Sequence, residues 1–92
     1  MEKKKERTDI EKKQLTVRLN KIAGQINGIK EMIDTNRYCG DILIQISAVD
    51  KALKSLGNMV LKSHVETCVS DKIKKDDTEI IDELMELIKR MS

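Results

Sequence analysis

The chain contains no proline, phenylalanine or tryptophan, and one tyrosine is its only aromatic residue. Proline interrupts helices and aromatic residues are enriched in strands, so a chain without them favours long helices over sheets. The charged residues, at 37% of the total, and the abundant Leu, Ile, Lys and Glu favour helices as well. We therefore predict an all-α fold.

Long hydrophobic runs are also missing. No stretch approaches the roughly 20 apolar residues that span a bilayer, and no signal-peptide apolar region follows the lysine-rich start. We expect a cytoplasmic protein with no membrane association. Its two cysteines are then expected to be reduced thiols with a chemical task, or inert core residues, rather than a disulfide.

The length of 92 residues suits one domain over residues 1–92, in which residues 1–8 form a flexible basic tail. A monomer of this size buries only a modest part of its surface, so we expect a partner chain to complete the core. Residues 1–21 carry eight basic against four acidic side chains, whereas residues 71–92 carry five against seven. A basic N-terminal region can meet phosphates, although charge alone is equally typical of a solvated helix face.

Apolar residues spaced alternately four and three apart predict a first helix over residues 9–34. This apolar seam comprises Leu15, Leu19, Ile22, Ile26, Ile29 and Ile33. Gly24 and Gly28 lie on one face, and the close approach of another backbone would compensate their low helix propensity. Asp34, Thr35 and Asn36 favour a turn and predict the end of the helix.

The same periodicity predicts one helix of about 30 residues from Cys39 to Cys68. A third helix is predicted to follow Asp76, which resembles an N-cap with Glu79 three residues later. The apolar positions of this third helix are Ile80, Ile81, Leu84, Leu87, Ile88 and Met91.

The two cysteines and the single histidine form a candidate metal-binding set. His64 and Cys68 are four residues apart and share a helical face, a spacing that suits two ligands of one metal ion. Cys39 lies 25 residues before His64, which is about 37 Å along a helix, so one chain cannot bring it to the other two. Two copies of the helix packed antiparallel would place Cys39 of each against His64 and Cys68 of the other. The dimer would be a four-helix bundle with two equivalent sites.

The donor set of two thiolates and one imidazole suits Cu(I), with one ion per subunit. Zn²⁺ is a weaker possibility, because it normally takes a fourth ligand. No nucleophile elbow or phosphate-binding glycine loop is present, so we do not expect an enzyme.

Several motifs resemble the copper-sensing branch of the CsoR/RcnR family of repressors. They are Arg18-Leu19-Asn20 with Gly24 and Gly28, Tyr38-Cys39 with Asp41, Gln45-Ile46-Ser47-Ala48-Val49, His64-Val65-Glu66-Thr67-Cys68, and Ile81-Asp82-Glu83-Leu84. The resemblance covers about residues 15–88. It implies a homodimer that pairs into a homotetramer, binds operator DNA when metal-free and releases it on binding Cu(I), derepressing copper-export genes.

The resemblance also implies roles for further residues. Tyr38 and Glu83 match positions that hydrogen-bond the metal-binding histidine in copper sensors, and Arg18 and Lys54 match or lie near DNA-binding positions. Ser55 replaces an arginine often found near Lys54, so the DNA surface is less fully matched than the metal site. Further phosphate contacts are expected from Lys12, Lys13 and Lys21.

Three other interpretations stay open. A thiol-reactive sensor of the same fold would bridge Cys39 and Cys68 by a disulfide or polysulfide across the interface. A metal-buffering helical bundle would bind metal without any role on DNA, and a purely structural bundle would bind no stoichiometric metal.

Overall fold

A computed structural model describes residues 6–76 and 78–91, apart from the side chains of Cys68 and Val69. Within this part of the chain every regular element is helical, which confirms the all-α prediction. The elements form three helical stretches. They are α1 (Asp9–Asp34), α2 (Cys39–Ser63) continued by a π-helix (His64–Val69) and α3 (Ser70–Lys74), and then α4 (Glu79–Met91).

α1 begins and ends where the sequence predicts. Thr8 is its N-cap in an extended conformation, and its hydroxyl accepts a hydrogen bond of 3.1 Å from the backbone N–H of Glu11. At the other end the Thr35 hydroxyl donates to the Glu31 carbonyl at 2.8 Å, and Asn36 adopts a left-handed φ of 57°. The backbone N–H of Arg37 then donates to the carbonyl of Met32 at 2.9 Å. This turn satisfies carbonyls that the helix end would otherwise leave without donors.

The second stretch differs from the uninterrupted α-helix predicted up to Cys68. The α-helical part stops at Ser63, and six residues of π-helix precede a return to α-helix that lasts until Lys74. The hydroxyl of Thr67 donates to the Ser63 carbonyl at 2.7 Å. That carbonyl is the one the Thr67 backbone N–H would bond in an α-helix, so side chain and backbone compete for it. Periodicity alone does not reveal this competition.

The prediction that Asp76 is an N-cap is wrong. Asp76 has a left-handed φ of 59°, and its backbone N–H donates to the carbonyl of Ile73 at 3.0 Å, so it closes the end of α3. An N-cap residue is extended instead. α4 starts at Glu79, so Thr78 immediately precedes it, and the Thr78 carbonyl accepts from the N–H of Ile81 at 3.1 Å.

The chain divides into two compact units, Met1–Leu56 and Gly57–Ser92. Among the described residues, the buried apolar side chains are Ile22 and Val49 in the first unit and Ile80 in the second. Most of the remaining apolar side chains are partly or largely exposed; in the α1 seam, Ile33 is 58% exposed. The isolated chain thus leaves much of its apolar surface in solvent. No helix in the described residues is long and apolar enough to cross a membrane.

Candidate metal and DNA-binding residues

Cys39 is the first residue of α2, where its thiol is free and exposed. The preceding Tyr38 is 75% exposed, and its ring lies over Gly40. A Cβ atom added to Gly40 would come within 2.5 Å of Tyr38 Cε2, which is closer than real carbon atoms approach. The absence of a side chain at Gly40 therefore allows the ring to rest on the start of α2. Sequence reasoning missed this role of Gly40.

His64 opens the π-helix and is half-buried. Its Nε2 atom is buried, yet among the described residues it has no hydrogen-bond partner. A buried polar atom without a partner costs about 1–3 kcal/mol. The nitrogen is therefore placed where a ligand or a second chain would relieve that cost.

Cys68 lies four residues after His64 within the same π-helix. The expected common face assumed α-helical spacing, in which four residues make slightly more than one turn. In a π-helix the hydrogen bonds run from i to i+5, so four residues make less than one turn. The two residues remain neighbours along one turn of backbone. The Cys68 side chain itself is outside the described part of the chain.

Within one copy of the described chain, no three His, Cys, Asp or Glu side chains cluster so that they could hold a metal ion. α2 starts at Cys39 and ends immediately before His64, so 25 residues of chain separate the first predicted ligand from the second.

Glu83 lies in α4 and is half-buried. It takes part in an interaction with another residue of the chain. α4 contacts the π-helix. The helix that carries Glu83 is thus held against the turn that carries His64. A movement of α4 would therefore displace the π-helix, and the reverse.

The cations expected to bind DNA are all exposed, but their surroundings differ. Arg18, Lys12, Lys13 and Lys21 lie on α1, and within the described chain none of them has an ion-pair partner. Lys54 lies on α2 with its Nζ atom 3.3 Å from Oδ2 of Asp50. The spacing of four residues was readable in the sequence, but the ion pair with Asp50 was not predicted.

The profile of the metal-sensitive transcriptional repressor family matches residues 11–90. This chain belongs to that family. The resemblance stated from the sequence motifs is confirmed, and so is the prediction that the chain is not an enzyme, since the family is one of transcriptional repressors.

Two individual relatives are named as copper-sensing transcriptional repressors. The copper-sensing transcriptional repressor CsoR of Bacillus subtilis (strain 168) is 46% identical over 83 residues, which cover 89% of this chain and 82% of the relative. The copper-sensing repressor RicR of Mycobacterium tuberculosis is 45% identical over 53 residues, covering 58% of this chain and 55% of the relative.

Solved structures resemble the whole chain. The copper-sensing repressor CsoR with Cu(I) from Geobacillus thermodenitrificans NG80-2 has a TM-score of 0.89 and 40% identity, covering 95% of this chain and 92% of that one. The nickel-responsive regulator InrS has a TM-score of 0.75 and 30% identity and covers 100% of both chains. The relatives thus include sensors of more than one metal.

Proposed function

We propose that this chain is a Cu(I)-responsive transcriptional repressor, which binds operator DNA when metal-free and releases it on binding Cu(I), so that copper-export genes are expressed. The observation that carries the proposal is the buried Nε2 atom of His64, which has no partner in the described chain and belongs to the same π-helix as Cys68. A repressor of this kind works beside the chromosome, in the cytoplasm.

Cys39 of one subunit and His64 and Cys68 of the neighbouring subunit would hold one Cu(I) ion per subunit. The Cys39 thiol is exposed and free, so it can serve a second chain. Two thiolates and one imidazole form a soft donor set that suits Cu(I). Nickel, to which the relative InrS responds, favours more nitrogen donors, and His64 is the chain's single histidine.

An antiparallel dimer would bring these residues together. The 25 residues of α2 correspond to about 37 Å of helix, so antiparallel pairing places each end of one copy against the opposite end of the other. The exposed apolar seam of α1 needs a cover, and Ile26 and Ile33 are 44% and 58% exposed. A Cβ added to Gly24 or Gly28 would meet nothing within 4 Å in the single chain, which leaves room for a partner helix. Two such dimers would form the tetramer.

Tyr38 and Glu83 would couple the metal site to α4. Hydrogen bonds to the non-coordinating nitrogen of a metal-bound histidine fix its tautomer and orientation. Tyr38 adjoins Cys39, and Glu83 lies on the helix that contacts the π-helix of His64. Copper binding and DNA binding would then oppose each other by an equal factor in both directions.

The exposed cations of α1, with Lys54 of α2, would contact DNA. Lysine and arginine contacts to phosphates supply affinity, and they read little sequence. Arg18, Lys12, Lys13 and Lys21 are free of ion pairs within the described chain, so their charges are available to phosphates. Specificity would come from DNA shape.

A competitive Cu(I) titration combined with X-ray absorption tests the metal site. We expect one ion per subunit with two sulfur ligands and one nitrogen ligand. Tighter binding of Zn²⁺ in a tetrahedral site, together with DNA release driven by zinc, would contradict the proposal.

A mixed dimer tests whether the site spans two subunits. Cys39→Ser and His64→Ala homodimers should each bind Cu(I) weakly. A heterodimer of the two variants keeps one intact set of ligands, so it should regain one tight site per dimer. If the ligands came from one chain, neither subunit of the heterodimer would have a complete set and no tight site would return.

The exposed thiol of Cys39 favours one other candidate, a sensor that forms a disulfide or polysulfide between Cys39 and Cys68 of neighbouring subunits. Mass spectrometry after treatment with a persulfide donor, with operator binding measured in parallel, separates the two functions. A cross-linked product that releases DNA, with no DNA release by Cu(I) under reducing conditions, would favour the thiol sensor.

A further inference from the structure

Lys54 differs from the other cations of the proposed DNA surface in carrying its own acidic partner. Its Nζ atom lies 3.3 Å from the Asp50 carboxylate, and the two side chains are 63% and 60% exposed. Arg18 and the three lysines of α1 have no ion pair within the described chain. The acidic partner lies one helical turn before the lysine, which is the favourable orientation for such a pair.

We propose that Asp50 is an internal counterion that competes with DNA phosphates for Lys54 and so lowers the operator affinity of the metal-free repressor. This inference rests on the proposed function and assigns a role to a residue that the proposed function does not use. Lys54 can contact a phosphate only when the DNA outcompetes the Asp50 carboxylate.

The exposure of both side chains makes this competition easy to reverse. An exposed ion pair is worth about 0.2–1 kcal/mol, because water screens it, so a phosphate can displace the carboxylate at little cost. The remaining effect of Asp50 is a weakening of DNA binding by roughly 1.4- to fivefold for each Lys54 that touches DNA. In an oligomer the factors multiply over the engaged copies.

A purely structural role for Asp50 predicts a different result. A pair spaced by four residues stabilises a helix by roughly 0.2–0.5 kcal/mol, and its loss would leave DNA affinity unchanged or slightly weaker. Glu86 provides a matched control, because it pairs with Arg90 four residues later on α4 at 3.5 Å and is 57% exposed. Replacement of either acid removes one negative charge and one exposed ion pair.

The experiment measures binding of metal-free protein to a fluorescein-labelled duplex from upstream of its own gene, by anisotropy over a series of salt concentrations. The variants are Asp50→Asn, Glu86→Gln, Lys54→Ala and the double variant Asp50→Asn with Lys54→Ala. Helical content and thermal midpoints are recorded for each, so that binding is compared between folded proteins.

Asp50→Asn should bind roughly 1.4- to fivefold more tightly per engaged copy. The slope of log affinity against log salt should stay nearly the same, because Lys54 neutralises a phosphate in both proteins. Glu86→Gln should bind like the wild type, and Asp50→Asn should have no effect when Lys54 is already alanine. Equal affinity of Asp50→Asn and wild type would overturn the inference, as would an equal gain in Glu86→Gln or in the Lys54→Ala background. Failure of the wild type to bind the duplex specifically, or to release it with Cu(I), would instead contradict the proposed function.

Discussion

The two units of the chain, Met1–Leu56 and Gly57–Ser92, differ in the regularity of their helices. In the first, α1 runs from Asp9 to Asp34 between a threonine cap and a left-handed turn, and the proposed DNA-binding cations all lie in this unit. The second contains the π-helix, the left-handed turn at Asp76, and α4, which contacts the π-helix.

The proposed DNA surface thus lies on regular α-helix, whereas two of the three proposed ligands lie on the π-helix. π-helices are rare and often occur at functional sites, so we expect the switching element in the second unit.

The largest expected effect separates the two activities. His64→Ala removes a proposed ligand from the second unit. It should weaken Cu(I) binding by more than about 100-fold, beyond the range for residues that only hydrogen-bond a ligand, while operator binding persists. Arg18→Ala in the first unit should weaken operator binding by roughly tenfold, with a shallower salt dependence, while Cu(I) affinity is retained. Competitive Cu(I) titration and anisotropy measure both quantities in both variants. Unchanged copper-induced release in His64→Ala would show that the second unit is not the sensor.

Core substitutions should show whether the units unfold separately. Ile22 and Ile80 are 5% and 7% exposed, and replacing either by Ala should cost about 2–4 kcal/mol of unfolding free energy. We expect Ile22→Ala to lower the denaturation midpoint of both Tyr38 fluorescence and helical circular dichroism. Ile80→Ala should lower the circular dichroism midpoint and leave that of Tyr38, the single tyrosine, unchanged. Coincident shifts of both probes in both variants would mean that the chain unfolds as one unit.

Glu83→Gln should act on the coupling between metal and DNA. The change keeps the size of the side chain and removes the charge that would orient His64, so copper-induced weakening of operator binding should fall by about 1 kcal/mol, within the usual range of coupling free energies. Cu(I) affinity should fall by no more than about tenfold. Glu86→Gln on the same helix is the control. Equal coupling in wild type and Glu83→Gln would remove Glu83 from the switch.

The smallest effects should come from glycines of the two units. Gly24→Ala gains about 1 kcal/mol of helix propensity, but a partner helix packed on this face would be pushed away. We expect weaker dimerisation, measured by sedimentation. Gly57→Ala would place a Cβ 3.0 Å from Met91 Cε, and this flexible methyl can move. A net gain of about 0.5 kcal/mol in thermal stability is therefore expected for Gly57→Ala. Stronger dimerisation of Gly24→Ala would contradict a helix packed there.

Local pattern was sufficient for much of the fold. The spacing of Leu15 to Ile33 and the turn-forming Asp34-Thr35-Asn36 located α1 within its observed bounds, and the apolar positions after Glu79 located α4. Two predictions failed where the backbone departs from a regular α-helix. The Thr67 hydroxyl bonds the Ser63 carbonyl within the turn that becomes a π-helix, and the Asp76 N–H bonds the Ile73 carbonyl in a left-handed turn.

The candidate site divides in the same way. The residue types of Cys39, His64 and Cys68, and the separation of Cys39 from the other two, could be read from the sequence, because ligand chemistry and helix rise do not depend on packing. The burial of His64 Nε2 and the ring of Tyr38 over Gly40 could not, since both depend on rotamers and on neighbouring backbone. The ion pair of Asp50 and Lys54 is an intermediate case. The sequence shows that the two residues are four apart, but only the structure shows that their side chains meet.

The sequence by itself determined that this protein is helical, that it carries soft donor side chains in two cysteines and one histidine, and that it resembles a repressor family, because periodicity, donor chemistry and motif order are properties of the residues. The tertiary structure decided where the long helix changes to a π-helix, which element contacts that turn and which polar atom is buried without a partner. These features depend on competition between side chains and backbone for the same hydrogen bonds and on the burial of particular atoms, and neither is encoded in a local pattern.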